Sequence, residues 1–553
     1  MTNEGNGHDR ALARHETVRR LAQLPPKQRL DALAEAPNAR ELVRATPAEE
    51  LYYAIADVGL ADSTEIVQLA SPEQFRTFVD LGGWRRHRID PHEVLSWLRA
   101  ARAEGGEHFL RKLRTLDLEV VEFMIRRFVT IHDREENPDL NPPGVTMETP
   151  EGRYLLEFHV EGPELAALRA MLSDLFAQDA FEAVRLLEAA RWEVPSELEE
   201  TALRFRSARL EDLGFPPLDE AVALFAWVDP QSVRWSRPER PAGAVLARAE
   251  GANFVDAAVR GLDPDERVGF EFELRSLSNA ALVAEIEDPG DLAAVRRVGE
   301  MVRDYLSLGL EHLTGGDPSL GADCLREVPT RKVFQVGFSL TLRLAFQVDR
   351  LAKQPLAMVA GAWLALEPET RVLRALRQKR PMRALDAEGT FQPFRDSAEL
   401  DEAQRAVERA GTQIAFFRSA LGGSEASARE ALATFGQSLE ALGTDRLLAA
   451  VVAQAMLDGV VRARPVPSNR VAELCERLFE GTAEAPVLRP EPAARAASVL
   501  KSGLDPETAR GVGPLLDRAL ERLRTELGPA WLTERKLHPA LGEILPIAGI
   551  ARR

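Results

Sequence analysis

The segment at residues 132–139 (HDREENPD) holds the densest cluster of groups that could bind a metal ion, with one imidazole and four carboxylates. Oxygen ligands of this kind suit Mg²⁺ or Ca²⁺. The segment nevertheless lacks the alternating ligand positions and the turn glycine of a calcium loop. We therefore favour a solvated acidic linker and keep a metal site as the alternative. The candidate metal ligands are His132, Asp133, Glu135 and Glu136.

The densest basic run lies at residues 84–88 (WRRHR), in a chain that is otherwise acidic. Arginine forks recognise phosphate and carboxylate groups, and an exposed tryptophan anchors many protein interfaces. The run therefore predicts a contact patch for a phosphate or an acidic partner segment. The structural alternative, which we favour, is that Gly82-Gly83 ends a helix, the arginines neutralise its last carbonyl groups and the tryptophan fills a groove. The candidate contact residues are Trp84, Arg85, Arg86 and Arg88.

No short motif in the chain predicts a reaction. The sequence has no Gly-x-Ser-x-Gly elbow, no His-Glu-x-x-His pair, no Walker loop and no Gly-x-Gly-x-x-Gly after a strand. Paired carboxylates such as Glu199-Glu200 are typical of solvated helix faces in a chain this acidic. Arg204, Arg206 and Arg209 precede Asp212 at helical spacing and predict ion pairs near a helix end. Catalytic residues and cofactors are therefore not identified.

The elements that would position these groups begin with a recurring phrase: a short polar residue, a proline and, two positions on, an acidic or amide residue. Each good copy has the parts of a capping box, because the first side chain can accept from a free backbone N–H while the later one reaches back. Proline suits the first helical position. The phrase indicates many capped helices in succession and predicts a mainly α fold. The four good copies begin at Thr46, Ser71, Asp90 and Asp263.

Spacing and periodicity refine this fold class. Uneven helix starts between residues 21 and 131 predict an irregular helical superhelix, followed by larger helical regions. Alternating apolar residues at 154–160 predict one small β-hairpin near 145–160, with residues 145–148 as its other strand. Residues 331–351 predict a long apolar helix. Two further apolar stretches are shorter than the ~20 residues that a membrane span needs, and we interpret them as buried helices. These stretches are Pro355 to Leu366 and Leu447 to Val461.

Composition places limits on the class of protein. The chain has 553 residues, 45% of them hydrophobic, and a formal net charge of −17. This charge argues against broad binding to nucleic acid or to an anionic membrane. Cys324 and Cys475 have no second ligand at metal spacing and predict two reduced, buried thiols. The polar start of the chain does not predict an export signal, so we expect a cytoplasmic protein without a membrane span.

Breaks in the pattern predict six segments. Clusters of proline, glycine and acidic residues mark their borders. The segments are a flexible tail at 1–20, the superhelix at 21–131, an acidic loop and β-hairpin at 132–161, a central helical region at 162–320, a C-terminal helical region at 321–484, and terminal helices with a tail at 485–553, loosely held from residue 545 onwards.

Six phrases of the chain are distinctive: those at 51–60, 69–81 with Trp84 after it, 152–158, 191–199, 209–216 and 333–340. They resemble an uncharacterised bacterial family, the domain-of-unknown-function family 6178, and the resemblance extends over nearly the whole chain. The resemblance implies no reaction, cofactor or catalytic residue. A looser likeness relates the short capped helices of residues 24–130 to the N-terminal superhelical domain of magnesium transporters. That likeness rests on capping chemistry and supports only an interaction scaffold.

Two functions remain open from the sequence. A long helical array presents a large surface to another chain, which predicts a protein-interaction or regulatory scaffold with a protein partner and no nucleic acid. The alternative is an enzyme or a metal or ligand sensor whose site is assembled only in three dimensions. The scaffold predicts a stable partner, whereas the sensor predicts a charged pocket.

Overall fold

The computed structural model describes residues 16–102, 106–238, 253–385, 390–502, 504, 506–538 and 541–548. The chain forms two compact units. The first consists of Met1–Phe225 and Val268–Val302, and the second of Ala226–Arg267 and Arg303–Arg553. Both are mainly α-helical with small β-hairpins, which confirms the predicted fold class. Among the described residues, none of the helices combines the length and apolarity that a bilayer crossing requires.

The first unit begins with short helices that bury one face each. In α5, for example, Phe75 and Phe78 are fully buried. The helices of this unit that lie wholly within it are α1 Pro26–Ala34, α2 Ala39–Ala45, α3 Ala48–Val58, α4 Thr64–Leu69, α5 Pro72–Gly82, α6 Pro91–Arg102, α7 Gly106–Leu113, α8 Leu118–Phe128, α9 Gly162–Gln178, α10 Ala180–Trp192, α11 Pro195–Asp212 and α12 Leu218–Val222.

The predicted capping boxes differ in outcome. The box at Ser71 is complete, and the Nε2 of Gln74 also donates to the carbonyls of Val43 and Thr46, both at 2.8 Å. The box at Asp263 is complete too. The box predicted at Thr46 is wrong, because this residue ends α2 and its hydroxyl donates to the Leu42 carbonyl at 2.9 Å. The N-cap of α3 is instead Pro47, which has no side chain that could accept from the first turn.

Asp90 forms half of its predicted box. Its Oδ1 accepts from the N–H groups of His92 and Glu93, both at 3.2 Å. The Glu93 carboxylate binds Arg85 at 3.1 Å instead of returning to the cap. The helix start is therefore correct, while the reciprocal bond is replaced by an ion pair with the preceding hairpin.

A three-stranded antiparallel sheet follows α8. Its strands are β3 Val129–Asp133, β4 Val145–Glu148 and β5 Tyr154–Phe158, in the order β3-β5-β4. The predicted hairpin is thus confirmed as β4-β5. The sequence analysis missed β3, which pairs Val129 with Phe158, because its few residues directly continue a helix. Short hairpins elsewhere are β1-β2 Trp84–Arg85 and Arg88–Ile89, β6-β7 Met358–Val359 and Ala362–Trp363, β8-β9 Arg383–Ala384 and Phe391–Gln392, and β10-β11 Phe479–Gly481 and Pro486–Leu488.

Two long helices, α14 Pro264–Ala284 and α15 Leu292–Thr314, belong partly to each unit. The second unit contains a close helix crossing. A Cβ atom on Gly309 of α15 would lie 2.0 Å from the Val333 carbonyl oxygen, so only glycine fits there. The remaining helices of this unit are α13 Phe254–Arg260, α16 Gly321–Glu327, α17 Thr330–Ala352, α18 Glu369–Leu376, α19 Ser397–Ala420, α20 Glu425–Ala433, α21 Leu439–Leu442, α22 Thr444–Asp458, α23 Ser468–Leu478, α24 Pro490–Lys501, α25 Pro506–Arg522, α26 Gly528–Glu534 and α27 Leu541–Ile544.

The two apolar stretches have different structures. The stretch from Leu447 is a buried helix as predicted. The helix predicted from Pro355 to Leu366 is wrong, because these residues form the β6-β7 hairpin. Ala360 and Gly361 have φ angles of 50° and 85°, a left-handed backbone that makes a tight turn and cannot continue an α-helix.

Parts of both predicted tails lie among the described residues. Residues 16–21 are already helical, and residues 1–15 lie outside the described residues. Leu545 is fully buried and the N–H of Ala548 donates to the Val466 carbonyl at 2.9 Å, so the chain is held as far as residue 548. The rest of the predicted tail lies outside the described residues. The six segments remain a prediction.

Candidate interaction site

The run at residues 84–88 forms a small hairpin between two helices of the first unit. α5 ends at Gly82, as predicted, and the carbonyl of Gly83 accepts from the N–H of Asp90 at 2.9 Å. Strands β1 and β2 pair Trp84 with Ile89, which leaves residues 86–87 as the turn. The local sequence thus places a cluster of cationic side chains at a tight turn. We call residues 84–89 the arginine hairpin.

The turn is held in an unusual backbone conformation. Arg86 has a φ of 59°, a left-handed value that is unfavourable for a residue with a side chain. Its N–H donates to the Oδ2 of Asp288 at 3.1 Å, and its carbonyl accepts from the Nη1 of Arg206 at 3.1 Å. The side chains of Asp288 and Arg206, which belong to other elements, therefore hold the N–H and the carbonyl of Arg86 in place.

Arg206 of α11 is the centre of this support. Its side chain is only 3% exposed, and its Nε donates to the Asp80 carbonyl at 2.6 Å. Its Nη2 lies 3.7 Å from the Asp288 carboxylate, and its guanidinium lies 5.0 Å from the centre of the Trp84 ring. Burial lowers the pKa of Arg206, and the charge of Asp288 opposes this shift. One buried cation thus joins α11, the end of α5 and the hairpin.

Arg209, one turn further along α11, binds two carboxylates. Its Nε and Nη2 contact the two oxygens of Asp80 at 2.7 and 2.8 Å, and its Nη1 contacts Asp117 at 3.0 Å. Burial alone would lower the pKa of Arg209, but the hydrogen bonds to Asp80 and Asp117 raise it overall. Such bidentate pairs have a fixed geometry. The base of the hairpin is therefore tied to α5 and to the start of α8.

The loop between α14 and α15 brings Asp288 to the hairpin. The hydroxyls of Tyr52 and Tyr53 donate to the carbonyls of Gly290 and Pro289 at 2.8 and 2.9 Å. A Cβ atom on Gly290 would lie 1.9 Å from the Leu81 carbonyl oxygen, so the loop lies against the end of α5 only because this residue is glycine.

The four predicted contact residues divide into two groups. Trp84 is fully buried, so its ring belongs to the core and not to a surface. Arg85, Arg86 and Arg88 are exposed. Arg85 pairs with Glu93 at 3.1 Å, whereas in the described part of the chain no carboxylate lies within 4.0 Å of the guanidinium of Arg86 or Arg88. The hairpin therefore presents to solvent two guanidinium groups that have no ion-pair partner among the residues the structure describes.

The predicted metal ligands are engaged with other groups. His132 and Asp133 are consecutive in β3, so their side chains point to opposite faces. The Nε2 of His132 lies 3.0 Å from Glu157. Asp133 binds the guanidinium groups of Arg153 and Arg191 at 3.1 and 3.4 Å.

The other two acidic candidates do not complete a metal site. Glu136 also binds Arg191, and Glu135 contributes its N–H to the Asp133 carboxylate at 2.9 Å. Although burial would raise the pKa of Asp133, this backbone bond and Arg153 lower it overall. Within the described ranges, no group of three His, Cys, Asp or Glu side chains converges as metal ligands. The structure does not bring the four candidates together.

Sequence reasoning identified part of this network. The helical spacing of Arg206 and Arg209 pointed to ion pairs, but their partners are Asp80, Asp117 and Asp288 and not the carboxylates next to them in sequence. The local sequence does not identify these three carboxylates as partners, because only the packing of α5, α8, α11 and the loop before α15 brings them to the arginines.

Comparison with known proteins gives one family. No curated protein and no solved structure matches the chain. A family model described as a family of unknown function matches residues 6–548, which is nearly the full length. The chain therefore belongs to the family of unknown function DUF6178.

Proposed function

We propose that this protein is a cytoplasmic interaction scaffold that binds an acidic segment of a protein partner through the arginine hairpin. The observation that carries the proposal is the exposure of the guanidinium groups of Arg86 and Arg88, which have no ion-pair partner among the described residues. They belong to a hairpin whose turn is held by hydrogen bonds from the Arg86 backbone to Asp288 and Arg206. Residues in unfavourable backbone conformations cluster at functional sites, where the surrounding structure maintains them.

The chemistry of the hairpin favours a carboxylate-rich partner. Arginine forms bidentate hydrogen bonds with carboxylates, and an exposed guanidinium without an internal partner is free to make them. The formal net charge of the whole chain is −17. The basic hairpin attracts an acidic segment while the acidic remainder of the chain repels it, so the segment is directed to the hairpin.

The buried network supports binding by keeping the hairpin in one conformation. Arg206 and Asp288 hold the backbone of Arg86, and Arg209 holds Asp80 below it. A surface that is ordered before binding loses less conformational entropy when the partner arrives. The network therefore raises affinity without contacting the partner.

The test is to purify the tagged protein from its own cells at native abundance after light crosslinking and to identify proteins present in stoichiometric amount. We expect a recurrent partner that is lost from the triple variant R85Q/R86Q/R88Q. The matched control, R99Q/R127Q/R169Q, removes three exposed helical arginines of the same unit and should retain it. A protein that is recovered alone, or a partner that survives in the hairpin variant, would overturn the proposal.

A further inference from the structure

An extended segment at residues 226–238 lies across the second unit without regular secondary structure. We call it the strap. The N–H of Val228 donates to the buried hydroxyl of Ser339 in α17 at 2.9 Å, and the ring of Trp227 lies 5.4 Å from that of Phe346. Further along, the N–H of Ser236 donates to the Glu327 carboxylate at 2.9 Å. These contacts fix the strap at both ends.

The strap covers the C-terminal end of α15. The Leu313 carbonyl accepts from the Nε1 of Trp235 at 3.0 Å and from the Nε of Arg237 at 3.1 Å. Gly315 and Gly316, both with positive φ, donate to the carbonyls of the same last turn. A helix C-terminus is normally a region of partial negative charge. Here its carbonyl groups are hydrogen-bonded, the Leu313 carbonyl to a cation among others, so they oppose a nearby anion less than a bare helix end would.

A cavity of about 480 Å³ lies between the strap and this helix end. Its volume falls within the range of roughly 300–1,000 Å³ that is typical of small-molecule sites. The described lining residues include three basic groups and no acidic one. The basic groups are Arg234, Arg237 and His312, and the apolar wall is formed by Pro230, Val233 and Trp235.

The positive charge of the cavity is not balanced by its own lining. Arg234 has neither an ion pair nor a hydrogen bond with any described residue. Partial burial lowers the pKa of His312, the charges of Arg343 and Arg237 lower it further, and a hydrogen bond to the Pro230 backbone opposes the shift.

A larger cavity of about 620 Å³ in the same unit has a different character. Its lining holds three arginines and three carboxylates. Arg518 binds Asp445 at 2.8 Å and Arg522 binds Glu526 at 3.0 Å, while Arg446 donates to the Gly542 carbonyl at 2.6 Å. Its charges are therefore largely balanced internally. The smaller cavity is the better anion site of the two.

We propose that the strap cavity binds a small molecule in which a phosphate group is attached to an apolar or ring-shaped body. Arg234 would hold the phosphate oxygens with its guanidinium fork, because this group matches the geometry of phosphate. Arg237 would add its Nη1, since its Nε and Nη2 donate to the Leu313 carbonyl. His312 lies in the lining at the helix end. Val233 and Trp235 form the wall against which the body lies. This ligand class is independent of the partner at the arginine hairpin.

The test is calorimetric titration of the full chain at low salt with four probes: phenyl phosphate, inorganic phosphate, benzoate and phenol. We expect phenyl phosphate to bind most tightly, since only this compound has both parts. Arg234→Gln should weaken its binding by about tenfold, the effect of one lost hydrogen bond to a charged group. Because Arg234 is exposed, this variant should fold normally.

Arg429→Gln, which removes an exposed arginine from α20 in the same unit, is the matched control and should bind as the unchanged protein does. Three results would overturn the proposal. Phenyl phosphate could produce no more binding heat than phenol, benzoate could bind equally well, or Arg234→Gln could bind phenyl phosphate with unchanged affinity.

Discussion

Glu122 shows how a single carboxyl group can make the stability of this protein depend on pH. It lies in α8, is 4% exposed and has no hydrogen-bond or ion-pair partner among the described residues. Burial, with the nearby charges of Glu119 and Glu193, raises its pKa from the ordinary 4.5 to about 7, while Arg185 opposes the shift. The folded state therefore holds this proton more tightly than the unfolded state. The protonated carboxyl group of Glu122 therefore favours the folded state below the ordinary pKa, and this contribution to stability is lost as pH rises towards about 7.

We predict that Glu122→Gln raises the midpoint of thermal unfolding at pH 8 by several degrees, because the variant removes a buried charge without changing the side-chain shape. At pH 5 the glutamic acid is itself neutral, so the two proteins should unfold at similar temperatures. Glu65→Gln, at an exposed position of α4, is the control and should have little effect at either pH. Equal stabilisation by Glu122→Gln at both pH values would show that its charge is not the cause.

At the residue scale, the sequence identified charged residues that could form a contact patch, but it did not predict which side chains are buried or which distant residues bind them. The three arginines of the hairpin are exposed as a contact patch requires, but Trp84 is fully buried beneath them. The type of a residue does not show on which side of a two-residue strand it lies. The backbone N–H of Arg86 donates to Asp288, which is 202 positions away in the sequence, and only the folded chain brings the two residues together.

At the scale of elements, the arginine hairpin combines backbone strain with exposed charge. A left-handed backbone costs a residue with a side chain roughly 1 kcal/mol or more, a cost that glycine avoids. We predict that Arg86→Gly leaves stability unchanged or raises it by up to roughly 1 kcal/mol, while partner binding weakens. Urea unfolding and partner capture measure the two effects separately.

Arg88→Gly is the matched control for this change. Arg88 lies in β2 and is not among the residues with positive φ, so its replacement should reduce stability by roughly 0.5–1 kcal/mol. A loss of stability in Arg86→Gly equal to that in Arg88→Gly would mean that the turn is not strained.

The crossing of α15 and α17 depends on Gly309. An added Cβ atom would meet a backbone oxygen at 2.0 Å, and backbone atoms cannot move aside as a side-chain end can. We predict that Gly309→Ala destabilises the protein by at least about 3 kcal/mol, at the upper end of overpacking effects. Denaturant unfolding followed by circular dichroism would measure it.

Gly299 lies in the same helix with open space around its Cβ position, and it provides the control. Gly299→Ala should stabilise the protein by roughly 0.5–1 kcal/mol through helix propensity. Comparable effects of the two alanine substitutions would contradict the close crossing.

Helix starts were the most predictable elements, because capping chemistry is local. The box at Ser71 formed as predicted. The box at Thr46 did not form, because the N-cap of α3 is Pro47 and the Thr46 hydroxyl is directed to the preceding helix. The helix predicted from Pro355 to Leu366 failed for another reason. Its apolar composition suits a buried helix or a buried hairpin equally, and the left-handed Ala360 that decides between them has no sequence signature.

At the scale of the whole molecule, the net charge of −17 opposes the approach of an acidic partner, although the hairpin attracts it at contact. The screening length falls from about 30 Å at 0.01 M salt to about 8 Å at 0.15 M. We predict that the association rate constant of a glutamate-rich peptide rises over this range, because long-range repulsion is screened first. The dissociation rate constant should rise as well, because the contact ion pairs weaken.

Stopped-flow fluorescence with a labelled peptide would measure both rate constants. The triple variant R85Q/R86Q/R88Q should show no saturable binding at either salt concentration. An association rate that falls steadily with added salt would indicate that the local positive field of the hairpin dominates over the charge of the chain.

The amide of Gln74 restricts which amino acids position 74 can accept. A capping box alone is served equally by glutamine or glutamate. Here the same side chain also donates to the carbonyls of Val43 and Thr46. A carboxylate would keep the box but set its negative charge against two carbonyl oxygens. Glutamine and glutamate are interchangeable at most helix starts, but they are not interchangeable at this one. Any functional descendant of this sequence that keeps these contacts is therefore confined to glutamine at position 74.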